Sequence, residues 1–496
     1  MATTVENPRP KAAKPKPHLE PDLCKGCLRC IESCNHHCLT PGHEIDPRTG
    51  LIPIEVNLEN CTACGLCFDA CPEPYGLRPE IPEGQPEFAR PEDADHLKRP
   101  PRPKPQDVPD ALRELPAGAT LVLKGNHAAA LGALLAGCRH FYGYPITPST
   151  EGAELLARLL PKLGGVFLQA VSEVATVNHM YGTAGAGKRT MTFTSSPGFS
   201  LMLEGVSYMI GAELPGVFVN VMRGGPGLGN IAPEQADIKL ACRGLGHGNT
   251  HAIAFAPSTP QEMLDLTRLA FDLSFAYRNP VVILADGYLG QMTGRVELPK
   301  ALTQPGLPKW AVSGDASHRD NLISSIFLAE ADLEAHNRHL DDKYARMARE
   351  ARSERWQCDD AEVVIVACNT PARMARGAVA ELRQRGVKAG LFRPITLWPF
   401  PIDALAEALS GASRLVIAEA SSGQLEDEVR LAASHAGLAL PPVAAVRHSG
   451  GVLPQQDEIV AGALAALARE VSATAAPRPA APCDCSDPDC GCGDEE

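Results

Sequence analysis

His140-Phe141-Tyr142-Gly143-Tyr144-Pro145-Ile146 opens the stretch whose reading decides the fold. Three further apolar runs follow, at 165–171, 189–194 and 217–222, and each leads through a polar or Gly-rich turn into a helical segment. Strand, turn and helix in alternation predict a parallel α/β sheet. Ligands of such sheets collect in the crevice outside the carboxyl ends of the strands. That register puts Thr147, Glu173, Ser195 and Arg223 there: two hydroxyls, an acid and a fixed cation on one rim.

Plain structural roles stand beside the functional ones. Thr147 precedes Pro148, so it also reads as a helix N-cap with proline at the first helical position. A glutamate in a first helical turn is favourable dipole chemistry in any protein. Arg223 is also placed to brace the glycine-rich turn that follows it, and Ser195 to line the crevice without chemistry.

The chain has 496 residues, enough for two large domains and something small. No apolar stretch is long enough to span a bilayer, and the first twenty residues are Pro/Lys-rich without an apolar core, so no membrane anchor or secretory signal is expected. The net charge of −13 argues against nucleic acid as the main partner. Seventeen cysteines without an export signal point to metal clusters in a reducing, cytoplasmic setting rather than to disulfides.

Residues 1–78 concentrate that chemistry. Cys24-x2-Cys27-x2-Cys30-x3-Cys34 is followed by Cys61-x2-Cys64-x2-Cys67-x3-Cys71-Pro72, the bacterial two-cluster ferredoxin pattern, in which the fourth cysteine of each run serves the other cluster. Cys24, Cys27, Cys30 and Cys71 are therefore assigned to one 4Fe–4S cluster, and Cys61, Cys64, Cys67 and Cys34 to the second. Zinc is the competing reading of paired CxxC. Asn35 replaces the usual proline after Cys34, and Cys38 is a ninth thiol expected to be packed or spare. Residues 79–118 carry ten prolines from Pro79 to Pro116 and are expected to form an extended tether without helix or ladder.

Within residues 119–290, Gly182-x4-Gly187-Lys188 imitates a phosphate-binding loop. Arg189 replaces the required Ser/Thr, and the segment leads from helix into strand, so nucleotide binding there is rejected. Residues 291–357 read as a connector with a long helix over 318–356, its stripe made by Leu322, Ile326, Leu333, Leu340, Tyr344 and Met347. His336 and His339 on it lack a third metal ligand. Residues 358–470 read as a second α/β domain with strands at 361–368, 387–392 and 414–418 and with Cys358 and Cys368 as core thiols. Residues 471–496 end in Cys483-x-Cys485-x4-Cys490-x-Cys492, either a soft-metal site or a disordered acidic tail.

Tyr144-Pro145-Ile146-Thr147-Pro148-Ser149, Gln169-Ala170-Val171-Ser172-Glu173 and Arg223-Gly224-Gly225-Pro226-Gly227-Leu228-Gly229-Asn230 together resemble the pyrimidine-binding domain of the 2-oxoacid:ferredoxin oxidoreductases. The resemblance runs through most of residues 120–470. It implies two parallel-sheet Rossmann-like domains, one pyrimidine-binding and one like the transketolase C-terminal domain, preceded by the small α+β two-cluster ferredoxin domain. It also implies thiamine diphosphate with Mg2+, and oxidation of a 2-oxoacid with coenzyme A to an acyl-CoA and carbon dioxide. Glu173 matches the carboxylate that favours the imino tautomer of the aminopyrimidine, which then acts as base. Arg223 matches a residue for the substrate carboxylate, which a guanidinium pairs bidentately. Thr147 matches the threonine near the reacting carbonyl, and Pro145 and Ser195 line the cofactor.

The Gly-Asp-Gly motif that holds Mg2+ and the diphosphate in this family is missing; Asp286-Gly287 lacks the preceding glycine. A separate β subunit, which would also bind coenzyme A, is therefore expected in a hetero-oligomer, with a γ subunit as a further candidate and ferredoxin as acceptor. Met222 to Asn230, then Pro233-Glu234-Gln235-Ala236-Asp237 and Gly246-His247-Gly248, look most like the branched-chain (2-oxoisovalerate) members; pyruvate, 2-oxoglutarate and aryl pyruvates stay open. A reading of another class is an electron-transfer adaptor whose α/β domains only dock.

Overall fold

The computed structural model describes residues 14–46, 49–73, 76–80, 103–116 and 119–468. The chain divides into two compact units, Met1–Arg102 and Pro103–Glu496. Most of the tether and the cysteine tail with Cys483, Cys485, Cys490 and Cys492 lie outside the described residues.

In the first unit, Pro17–Leu19 pairs antiparallel with Leu77–Pro79, and Leu39–Thr40 with Glu55–Val56. Two short helices, Arg29–Glu32 and Leu66–Ala70, follow the two cysteine runs' first halves. The core is small and partly sulfur: Cys30, Leu39, Ile54, Cys67 and Leu77.

The second unit is built on a seven-stranded sheet. Its order is Thr396–Trp398, Ile253–Phe255, Pro280–Asp286, Gly216–Met222, Thr190–Thr194, His140–Gly143 and Val166–Gln169. The last six are parallel to one another, and Thr396–Trp398 pairs antiparallel with Ile253–Phe255. Gly216–Met222 and Pro280–Asp286 are buried at every position, as the central strands of a parallel sheet covered on both faces must be. The four expected strands are present: the first three are shorter than expected, and the fourth gains Gly216 at its start. The chain steps outward from His140–Gly143 to Val166–Gln169, then crosses back to Thr190–Thr194 on the other side. This reversal opens the crevice at the carboxyl ends of the strands.

A second sheet of five strands runs Ser353–Trp356, Ala389–Pro394, Val363–Val366, Arg414–Glu419 and Val443–Arg447, all parallel except the first. Cys358 and Cys368 are buried in the core as expected.

Three expectations are corrected. The helix after Thr147 starts only at Thr150, with Ser149 at the N-cap position, so Thr147 does not cap it. The long helix spans Glu330–Met347, not 318–356. Leu322 and Ile326 lie before it and are exposed, because Asn321 donates its side-chain amide to Lys309 O and Ala311 O and Ser324 Oγ takes the N–H of Ile326. Such local side-chain bonds compete with helix. Finally, the tether was expected to contain no ladder, yet Ala111–Glu114 pairs with Ala301–Gln304. This stretch lies between Pro109 and Pro116 and itself contains no proline, so every donor is available.

Candidate functional site

Thr147, Glu173, Ser195 and Arg223 all stand just past the carboxyl ends of parallel strands. The loop carrying Thr147 is fixed at three successive carbonyls. Ile146 O accepts from Ser149 Oγ at 2.8 Å, Thr147 O from Arg223 Nη1 at 2.9 Å, and Pro148 O from Asn126 Nδ2 at 2.8 Å and Gln291 Nε2 at 3.2 Å. The Thr147 side chain stays exposed, as does Pro145.

Glu173 is the first residue of the helix Glu173–Gly185, whose N-cap Ser172 accepts from Ala175 N. Its side chain is 5% exposed, and among the described residues its carboxylate accepts no hydrogen bond. It lies over Gly198, where a Cβ would come within 2.5 Å of both Glu173 Oε1 and Thr194 Oγ1. Only glycine fits there. A buried carboxylate without a donor is costly unless a ligand supplies one. That unpartnered acceptor fits the aminopyrimidine end of thiamine diphosphate.

Arg223 is 9% exposed; its Nη1 donates to Thr147 O and its Nη2 to Leu228 O at 3.2 Å. It thus ties the Thr147 loop to the glycine turn, while its buried Nε–H has no acceptor among the described residues. Ser195 is fully buried, and among the described residues its hydroxyl has no partner. The hydroxyl that does the fixing is the next one, Ser196. Its Oγ accepts from Arg223 N at 3.1 Å and donates to Asp237 Oδ2 at 2.6 Å, which also takes Asn220 Nδ2 at 2.8 Å. Burial pushes the Asp237 carboxyl up, against the hydrogen bonds from Ser196 and Asn220. Sequence reasoning missed this network. Its signal was Asn220, a lone amide inside a buried apolar strand, which must have a partner.

Asp286, the nearest match to the family's diphosphate motif, has a structural role. Asp286 is fully buried, and both its oxygens are taken: Oδ1 by Leu289 N and Thr370 Oγ1, Oδ2 by Thr370 N. It caps a helix and joins the two α/β domains, so neither of its oxygens is free for Mg2+.

In the first unit the eight thiols surround two cavities. Cys24, Cys27, Cys30 and Cys71 line one; Cys34, Cys61, Cys64 and Cys67 line the other, together with the buried Cys38. This is the crossed partition that the spacing gave. Among the described residues no three His, Cys, Asp or Glu side chains converge on a single-ion site. Both loops repeat one backbone pattern, with positive φ at Gly26 and Leu28 in the first and at Ala63 and Gly65 in the second. Successive amides in such mixed-handed turns form concavities for anionic groups, a cluster with four thiolates included. Ile54 N donates to Cys24 Sγ and Cys38 N to Cys34 Sγ. The donor set fits two 4Fe–4S clusters.

His336 Nε2 meets Gly211 O at 2.7 Å and His339 Nε2 meets Glu213 Oε1 at 3.0 Å, so both histidines have ordinary structural partners.

A carboxylate at the switch point of one parallel sheet, in a chain that also carries a two-cluster unit, defines a thiamine- and iron–sulfur-dependent oxidoreductase. Comparison with known proteins agrees. Residues 131–345 match the family model "Pyruvate flavodoxin/ferredoxin oxidoreductase, thiamine diP-bdg", residues 361–459 "Pyruvate:ferredoxin oxidoreductase core domain II", and residues 23–74 "4Fe-4S dicluster domain". The chain is 48% identical over 316 residues to the ketoisovalerate oxidoreductase subunit VorB of Methanothermobacter thermautotrophicus, covering 63% of this chain and 90% of that protein. It is 38% identical to the 2-oxoglutarate synthase subunit KorA of Archaeoglobus fulgidus, covering 62% and 90%. Among solved structures it resembles 2-oxoglutarate:ferredoxin oxidoreductase from Magnetococcus marinus, with a TM-score of 0.61 and 26% identity over 69% of this chain and 64% of that one. The chain belongs to the 2-oxoacid:ferredoxin oxidoreductase family. It carries that family's thiamine diphosphate-binding domain and a 4Fe–4S dicluster domain, and no helix among its described residues is long and apolar enough to cross a membrane.

Proposed function

We propose that this chain is the α subunit of a complex that oxidises a branched-chain 2-oxoacid, with coenzyme A, to an acyl-CoA and carbon dioxide. Electrons leave through its two clusters to ferredoxin. A β subunit holds Mg2+, the diphosphate and coenzyme A; a γ subunit is a further candidate. The observation that carries this reading is Glu173, a buried carboxylate with no donor of its own at the sheet's switch point.

When bound, thiamine diphosphate supplies the carbon nucleophile for the 2-oxo carbonyl and holds the electron pair left by carbon dioxide. Glu173 takes a hydrogen bond from the aminopyrimidine and holds a proton there, work suited to a carboxylate shielded from water. Arg223 pairs with the substrate carboxylate through N–H groups not spent on Thr147 O and Leu228 O. By fixing Thr147 O it also brings that exposed hydroxyl to the same end of the site. Four large apolar side chains stand exposed on the loops that carry these residues: Tyr144, Val171, Leu228 and Ile231. Exposed apolar groups around a half-built site suit a covering partner. The higher identity to the ketoisovalerate than to the 2-oxoglutarate protein supports a branched-chain substrate.

The test is to co-purify the partner that binds this chain and follow CoA-dependent dye reduction with a panel of 2-oxoacids. The 2-oxoisovalerate rate is expected to be highest, and the chain alone is expected to hold clusters but give no turnover. Robust turnover by the lone chain with thiamine diphosphate, Mg2+ and coenzyme A overturns the divided site; a preference for 2-oxoglutarate or pyruvate overturns the substrate.

A further inference from the structure

We infer that Glu234 is a positioning residue through which the second α/β domain fixes the 224–230 turn and, with it, Arg223. This rests on the reading of Arg223 as the anchor of the substrate carboxylate.

Arg223 Nη2 is held by Leu228 O, at the tip of the turn, so the guanidinium goes where the turn goes. The turn closes on itself through Asn230 N to Gly224 O and Gly224 N to Ala232 O, both 3.1 Å. These bonds fix its shape; besides the ties of Arg223 to Ser196 and Thr147 at its base, a further tie comes from Gly450, 216 residues from Glu234 in sequence. Glu234 Oε2 accepts from Gly225 N at 3.2 Å and from Gly450 N at 3.0 Å. A single oxygen therefore joins the turn to the loop that follows the last strand of the second sheet. Gly450 is gripped a second time, its carbonyl accepting from Asn230 Nδ2 at 2.8 Å.

The two loops meet backbone to backbone. Gly451 has φ +96°, and a Cβ there would lie 2.3 Å from Ala232 Cβ. Glu234 is 6% exposed, and among the described residues no cation pairs with it. Burial pushes its carboxyl up, against the two backbone donors. A buried, unpaired acid is an expensive way to fill space, and apolar packing would do that better. Two backbone donors from different domains on one oxygen is a use that requires an acceptor at this place. The second domain is thus more than scaffold: without contributing a side chain to the substrate, it sets the anchor's position.

The experiment uses the chain assembled with its partner subunit. Glu234→Ala is expected to raise KM for the 2-oxoacid about tenfold, the scale of one lost positioning hydrogen bond, with kcat within about twofold. Glu234→Gln, which keeps an acceptor oxygen, is expected to stay near the parent enzyme. Amide exchange at 224–232 and 448–451 is expected to speed up in Glu234→Ala and not in Glu234→Gln. Asn230→Ala, which removes the other tie to Gly450, serves if Glu234→Ala does not fold and is expected to show the same pattern more weakly. Arg223→Ala runs in parallel. If it raises KM while the Glu234 and Asn230 variants do not, the proposal is overturned. If Arg223→Ala leaves KM unchanged, the anchor reading fails instead, and exchange alone decides Glu234: faster exchange in both segments supports the tie, unchanged exchange overturns it.

Discussion

The cluster unit and the carboxylate rim hold their cofactors in opposite ways. The eight cysteines proposed as cluster ligands come from one short segment, Cys24 to Cys71, on two loops with the same backbone pattern. The rim gathers its groups from four strand ends and braces them from a fifth place, Gly450. Sulfur–iron bonds make the first region complete in itself. On the function proposed above, the second, working through hydrogen bonds and shape, offers one end of a site and leaves the other to a partner. A cofactor that is bonded can live in a small, weakly cored unit; one that is only gripped needs large sheets to aim the grip.

That contrast breaks most visibly at Glu173. In the assembled complex Glu173→Gln is expected to cut turnover by about 100-fold or more, the scale of a lost general acid–base group, with cluster absorbance unchanged. Unchanged turnover would favour the electron-transfer adaptor over the enzyme. Next comes the crossed partition of thiols: Cys71→Ser is expected to remove the same cluster, by its EPR signal and about half of the bound iron, as Cys24→Ser does. If instead Cys71→Ser matches Cys61→Ser, each run serves its own cluster and the two cavities were misassigned.

A smaller effect is expected behind the rim. Ser196→Ala leaves the buried Asp237 carboxyl with one donor fewer and frees Arg223 N, for a stability loss of about 1–3 kcal/mol in denaturant unfolding, with the clusters untouched. The smallest lies at Glu213. Burial pushes its carboxyl up, but Lys343, His339 and Arg278 outweigh that and hold it below the usual range. A depressed carboxyl contributes stability that is present above its unfolded pKa and lost as pH falls through the folded value. Glu213→Gln is therefore expected to lower stability at neutral pH and to flatten the acid limb of the unfolding profile.

Much of this was legible because parallel strands announce their own ends: 217–222 is apolar but for Asn220, Arg223 is charged, and the break marks the rim. The cysteine spacing was legible because all eight cysteines lie within one segment. What sequence could not carry was contact between distant places. Nothing near Glu234 points to Gly450, and nothing near Asp286 points to Thr370, the residue it holds. The stripe through Leu322 and Ile326 misled for a different reason: helical spacing continued, but Asn321 and Ser324 had local backbone partners that a helix would deny them.

One further consequence follows from Thr396–Trp398, which belongs to the second α/β domain by sequence and to the first sheet by pairing. Cutting the chain between the domains would strip Ile253–Phe255 of its neighbour and bare a row of unsatisfied amides on an apolar strand, an invitation to self-association. The first domain released alone is expected to precipitate, and any evolutionary shuffling of these two modules would have had to carry that borrowed strand along.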